Sequence, residues 1–94
     1  MAEARAHLIV KGRVQGVCYR MDTEDVARRL GLTGWVRNRM DRTVEIVAEG
    51  DREKIEDLIK WCRRGPRLAR VDDIEIEWQE PQGEFIEFKT TYTL

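Results

Sequence analysis

The chain contains no serine and a single histidine, His7. A Ser-His-Asp triad is therefore impossible, and a metal site built on two histidines is excluded. His7 lies in the first apolar run and reads as a partly buried strand residue. Cysteine is scarce as well. Cys18 and Cys62 are too few for a disulfide framework and form no Cys-x-x-Cys pair. They point to a reduced, cytoplasmic setting, with one Cys18–Cys62 bridge left open. No apolar run approaches the roughly 20 residues of a membrane-spanning helix. The start, Met1-Ala2-Glu3-Ala4-Arg5-Ala6-His7, carries an acid early and leads into a β-like run, unlike a signal peptide. An excess of one charge is missing too: 17 Lys and Arg face 18 Asp and Glu, for a net charge of −1. With a pI of ≈ 5.9 the chain has no long-range pull on nucleic acid or anionic membrane. A local basic site for a small anion stays open.

What is present is patterned. Of the 94 residues, 41% are hydrophobic and 37% charged, and the apolar ones fall into periodic runs. That argues for one folded domain over residues 1–94 with a charged surface. A chain of this size buries roughly 60–65 % of its unfolded surface, enough for a single core.

Leu8-Ile9-Val10 opens a first strand at about residues 5–12. Thr23, Val26, Ala27 and Leu30 then fall on one helical face within residues 20–31. Asp22, Glu24 and Asp25 suit the start of that helix, Arg28 and Arg29 its end, and Gly31 its stop. Gly34 to Asn38 makes a short strand, followed by a turn around Met40-Asp41-Arg42. Val44, Ile46 and Ala48 alternate with Glu45, Val47 and Glu49, which predicts a half-buried strand. Gly50-Asp51 caps a second helix at about 52–64, with Ile55, Leu58, Ile59 and Cys62 on one face and Gly65-Pro66 at its end. Ile74, Ile76 and Trp78 mark a fourth strand. After a turn at Pro81-Gln82-Gly83, residues 84–90 alternate again, with Ile86 and Phe88 on one face. The order is β-α-β-β-α-β plus a final strand or hairpin partner. Two one-faced helices must cover one face of a mainly antiparallel sheet, the ferredoxin-like α+β sandwich.

Lys11 to Arg20 is where this pattern offers chemistry. A strand ends, the loop Gly12-Arg13-Val14-Gln15-Gly16 turns, and a helix begins. Successive amides in such a turn converge on one point, and the helix N-terminus adds partial positive charge. Arg20 stands where its fork of donors completes the cage. The guest that fits is a phosphate-sized dianion. The loop is no Walker A, because Gly16 is not followed by Lys-Ser or Lys-Thr. An ordinary β–α turn with a solvated Arg20 is the alternative reading.

Gly12-Arg13-Val14-Gln15-Gly16-Val17-Cys18-Tyr19-Arg20 resembles the first signature of the acylphosphatases. Gly34-Trp35-Val36-Arg37-Asn38, with Asp41 and Val44-Glu45 following, resembles the second. The separation of the two, Gly50, the second helix and Gly65-Pro66 also agree, so the resemblance spans nearly the whole chain. It implies hydrolysis of a carboxylic–phosphoric mixed anhydride to carboxylate and phosphate, without metal or cofactor. It implies that the amides of Gln15, Gly16, Val17, Cys18, Tyr19 and Arg20 hold the phosphoryl oxygens, that the Arg20 side chain binds the same group, and that Asn38 orients the attacking water. Inorganic phosphate and sulfate are the expected competitors, and a monomer is the expected form.

Two departures from the family pattern stand out. Asp41-Arg42 replaces the usual Asp-Gly, so Arg42 carries a cost of roughly 1 kcal/mol if its φ is positive. Tyr19 stands where Phe is usual, and its hydroxyl needs a partner. Cys18 is not a cysteine-phosphatase nucleophile, since Glu24 rather than Arg lies six residues on. Arg37, Arg39 and Arg42 form one basic stretch and Arg63, Arg64, Arg67 and Arg70 another, read as solvated surface or as mild steering of an anion. Trp35, Trp61 and Trp78 read as packing residues. The competing functional class is a non-catalytic anion- or ligand-binding or regulatory module on the same fold. RNA recognition lacks its exposed aromatics on the strands around Leu8 and Val44.

Overall fold

The computed structural model describes residues 2–93. Its elements are β1 (Glu3–Arg13), α1 (Tyr19–Arg29), β2 (Thr33–Asn38), β3 (Val44–Asp51), α2 (Arg52–Arg64), β4 (Arg70–Gln79) and β5 (Phe88–Thr90). The sheet runs β4-β1-β3-β2-β5. Every pairing is antiparallel except β2 with β5. Alternate residues of each strand, including Leu8, Val10, Val36, Ile46 and Ile74, form one core with Ala27, Ile55, Leu58 and Cys62 of the helices. This is the ferredoxin-like sandwich, and both helices sit where the periodicity places them.

The helix ends follow from their residues. Leu32 N–H donates to the Ala27 carbonyl and Gly31 N–H to that of Arg28, both at 3.0 Å, with Gly31 at φ 74. These two bonds close α1 with a Schellman motif. Asp51 caps α2, its carboxylate accepting from Glu53 N–H at 3.0 Å.

Two expectations need correction. The strand from Val44 is buried on both faces, not one. Glu45 accepts from Arg37 Nε at 2.7 Å and meets His7 Nε2 at 2.6 Å. Glu49 accepts from Arg5 at 2.7 Å and from the Gln82 and Gly83 N–H groups at 3.0 Å. Burial opposes ionisation of both carboxyls, but these hydrogen bonds and charges outweigh it and hold both below the usual carboxylate range. The last segment also departs from simple alternation. Only Phe88–Thr90 is strand, and Ile86 is exposed while Phe88 is buried. Residues 80–87 instead carry the chain from the β4 edge to the β2 edge, passing Arg5 and Glu49. Arg5 secures that crossing, donating to Glu84 at 2.8 Å and lying over the Phe85 ring at 5.2 Å.

Candidate active site

The loop between β1 and α1 is anchored at both ends by burial. Val14 and Val17 belong to the core. Tyr19 is buried too, its hydroxyl donating to the Cys62 carbonyl at 2.7 Å and its ring 5.5 Å from that of Trp61. The hydroxyl thus has its partner, and burial pushes the phenol above its ordinary pKa. Cys62, fully enclosed, has its thiol pushed up to about 12 by burial. Between these anchors Gly16 at φ 73 and Cys18 at φ 65 take left-handed conformations. They wind the chain tightly into the start of α1, where Asp22 N–H bonds the Cys18 carbonyl at 3.0 Å.

The hairpin between β2 and β3 is joined to this loop by one side chain. Gln15 Nε2 donates to the carbonyls of Arg39 and Thr43, both at 2.9 Å. The hairpin is a tight turn, with Arg42 N–H on the Arg39 carbonyl at 3.1 Å and Arg39 N–H on that of Thr43 at 2.9 Å. Asp41 braces it by accepting from the Thr43 hydroxyl at 2.6 Å and N–H at 3.1 Å, bonds that hold its carboxyl below the usual range. Arg42 takes φ 72, the left-handed backbone that closes such a loop. Asn38 ends β2 immediately before this turn, two residues past the buried Val36 and so on the helix side of the sheet.

Loop and strand end enclose a cleft of ≈ 390 Å³. Gly16, Cys18, Tyr19, Arg20 and Asn38 line it, with Val14 behind and Met21, Glu24 and Thr90 at the sides. Asn38 Oδ1 is buried without a hydrogen-bond partner among the described residues. Arg20 pairs with no carboxylate among the described residues. Of the expected phosphate-loop residues, Gln15 and Val17 do not line this cleft: Gln15 borders a neighbouring one, and Val17 is buried in the core. Arg37 is committed elsewhere, to Glu45 and to the Trp35 ring 4.6 Å away. Glu24 and Thr90 were not among the expected site residues. Glu24 Oε2 accepts from Thr90 N–H at 2.8 Å and ties α1 to β5. The four-residue spacing from Arg20 signals Glu24 in the sequence, whereas Thr90 arrives through the crossover and has no local signal.

A cleft at a helix start, with an uncommitted guanidinium and an unpartnered amide, defines a class: small α+β domains suited to an oxyanion. The particular family follows from comparison with known proteins. The acylphosphatase family model matches residues 6–90. An acylphosphatase of Pelotomaculum thermopropionicum is 53% identical over 92 residues, covering 98% of this chain and 100% of the relative. The crystal structure of acylphosphatase from Bacillus subtilis superposes with a TM-score of 0.92 at 32% identity, over 95% of this chain and 99% of that one. An acylphosphatase structure from Coxiella burnetii gives 0.90 at 36% identity, over 95% and 93%. The chain belongs to the acylphosphatase family.

Proposed function

We propose that this cleft hydrolyses acyl phosphates to carboxylate and inorganic phosphate, with Arg20 and Asn38 as its catalytic residues. The amides of Gly16 and of Cys18 to Arg20, with the Arg20 guanidinium, hold the phosphoryl oxygens. The observation that carries this reading is Asn38 Oδ1, a buried acceptor with no protein partner, on the same cleft as Arg20. An unmet acceptor in that position suits a water whose hydrogen it takes, leaving the water's lone pair free to attack phosphorus.

The reaction asks little more. Water oxygen bonds to phosphorus as the bond to the acyl oxygen breaks, and the carboxylate leaves with the bonding pair. The parent acid has a pKa of about 4, so the leaving group needs no general acid. What the protein supplies is alignment and stabilisation of the equatorial oxygens. Asn38 is no base, so the water's proton passes to the phosphate or to solvent. Inorganic phosphate and sulfate compete for the same donors. The chain acts as a monomer in a reducing, cytoplasmic setting. Its two cysteines are free thiols, one exposed and one buried, and no helix among the described residues is long and apolar enough to cross a membrane.

The test is turnover of a simple acyl phosphate in EDTA, beside an alkyl phosphate monoester. Fast hydrolysis of the first and very slow hydrolysis of the second is expected. Equal rates on both, or activity lost in EDTA and restored by Mg²⁺, would overturn the reading. Phosphate binding without turnover would favour the non-catalytic module.

A further inference from the structure

A second cleft, of ≈ 500 Å³, lies behind the loop, lined by Gly12, Arg13, Val14, Gln15, Arg42 and Arg70. Three arginines line it, from the end of β1, the hairpin and the start of β4. Their placement is locally unfavourable. Arg13 and Arg70 are partners in the β1–β4 register, and like charges directly opposite in a sheet repel. That pairing follows a register shift between Lys11 and Gly12. Gly12, at φ 128, permits the close approach, since a Cβ there would lie 2.2 Å from the Arg70 carbonyl oxygen. Arg42 holds φ 72, a conformation that suits glycine and strains an L-residue.

Little negative charge answers these arginines. Asp72 accepts from Arg70 at 3.1 and 3.4 Å. Arg13 and Arg42 have no ion pair among the described residues. Two other acids of these elements are held by other partners, and a third is opposite a lysine in the register. Asp41 is held by Thr43, Asp73 faces Lys11 across the ladder, and Glu75 accepts from Lys11 at 2.7 Å.

We propose that this cleft is an accessory binding site for a multiply charged, phosphate-bearing anion, gripped by Arg13, Arg42 and Arg70 and distinct from the Arg20 cleft. Such a ligand removes the repulsion between Arg13 and Arg70 and uses the planar forks of all three side chains. It also spans the contact that Gln15 makes with Arg39 and Thr43, and so fastens the loop to the hairpin from outside.

The experiment is a titration of the whole chain with inorganic tripolyphosphate, following each backbone amide by NMR. The two clefts are separated by which amides move. Shifts at Arg13, Arg42 and Arg70 are expected, saturating with an affinity of their own. Arg42→Gly, which relaxes the backbone, weakens that affinity about fivefold, the worth of one exposed charge-assisted contact. Arg70→Ala does the same. In Arg42→Gly the shifts at Gly16 to Arg20 and the turnover of an acyl phosphate stay at wild-type values. Shifts confined to Gly16–Arg20 and Asn38, or an Arg42→Gly titration identical to wild type, would overturn the proposal. Neither result bears on the hydrolytic reading, which turnover tests separately.

Discussion

Two regions of this small sandwich treat charge in opposite ways. On the sheet face away from the helices, Glu45 sits between Arg37 and His7, and Glu49 between Arg5 and two backbone N–H groups. Each buried carboxylate there is answered. At the loop end, Arg20 has no acidic partner among the described residues and Asn38 Oδ1 has no donor. A group already satisfied contributes to stability and has nothing left for a ligand. A group left unsatisfied costs stability and is free to act when a ligand arrives. The two arginines nearest Asn38 in sequence illustrate the point. Arg37 is bound to Glu45, and Arg39 lies 3.8 Å from Asp41. Arg37 is held firmly, whereas the exposed Arg39 pair is loose.

The contrast is open to attack from both sides. The largest effect is expected at the unsatisfied end. Asn38→Ala should lower kcat by roughly 10²–10³-fold, the worth of one preorganised polar group, while the thermal midpoint stays level or rises. A large fall in the midpoint would make Asn38 a structural residue. At the satisfied face the reverse holds. Glu49→Ala removes the partner of Arg5 and of two N–H groups and should cost about 2–3 kcal/mol in denaturant unfolding. The specific activity of the folded fraction should not change.

Acid sharpens the same comparison. Glu45 and Glu49 have folded-state pKa values below the unfolded value of about 4.3. Their contribution is complete above that pH and is lost as pH falls through the folded values. Stability should therefore drop on acidification below about pH 4.5, and Glu49→Ala should flatten the drop. An unchanged profile in that variant would show that Glu49 is not an anchor. The smallest effect is at the hairpin. Arg42→Gly should raise stability by about 0.5–1 kcal/mol, because φ 72 suits glycine. A fall in the midpoint would mean that the Arg42 side chain holds the turn.

How much of this was legible in the sequence differs between the two regions. The period-2 run from Val44 identified the core face of β3 correctly. It missed the burial of Glu45 and Glu49, because their partners Arg5, His7 and Arg37 come from adjacent strands and only register brings them together. Ile86 fails for a related reason. The segment around it follows hydrogen bonds to Glu49 and Arg5 rather than a strand ladder. At the loop end, local order was enough to read the glycine turn and Arg20 at the helix start, whereas the positive φ of Arg42 entered only as a condition drawn from the family's usual Asp-Gly. The side chain of Gln15 was not readable, since its acceptors are carbonyls 24 and 28 residues away.

One calorimetric titration with inorganic phosphate, run on wild type, Arg20→Ala and Asn38→Ala, separates the two roles most directly. In the proposed mechanism Arg20 grips the phosphoryl group before and during reaction, whereas Asn38 touches the water. Arg20→Ala should therefore lose most of its phosphate affinity, and Asn38→Ala should keep nearly all of it. Phosphate binding by Arg20→Ala as tight as wild type would contradict the account.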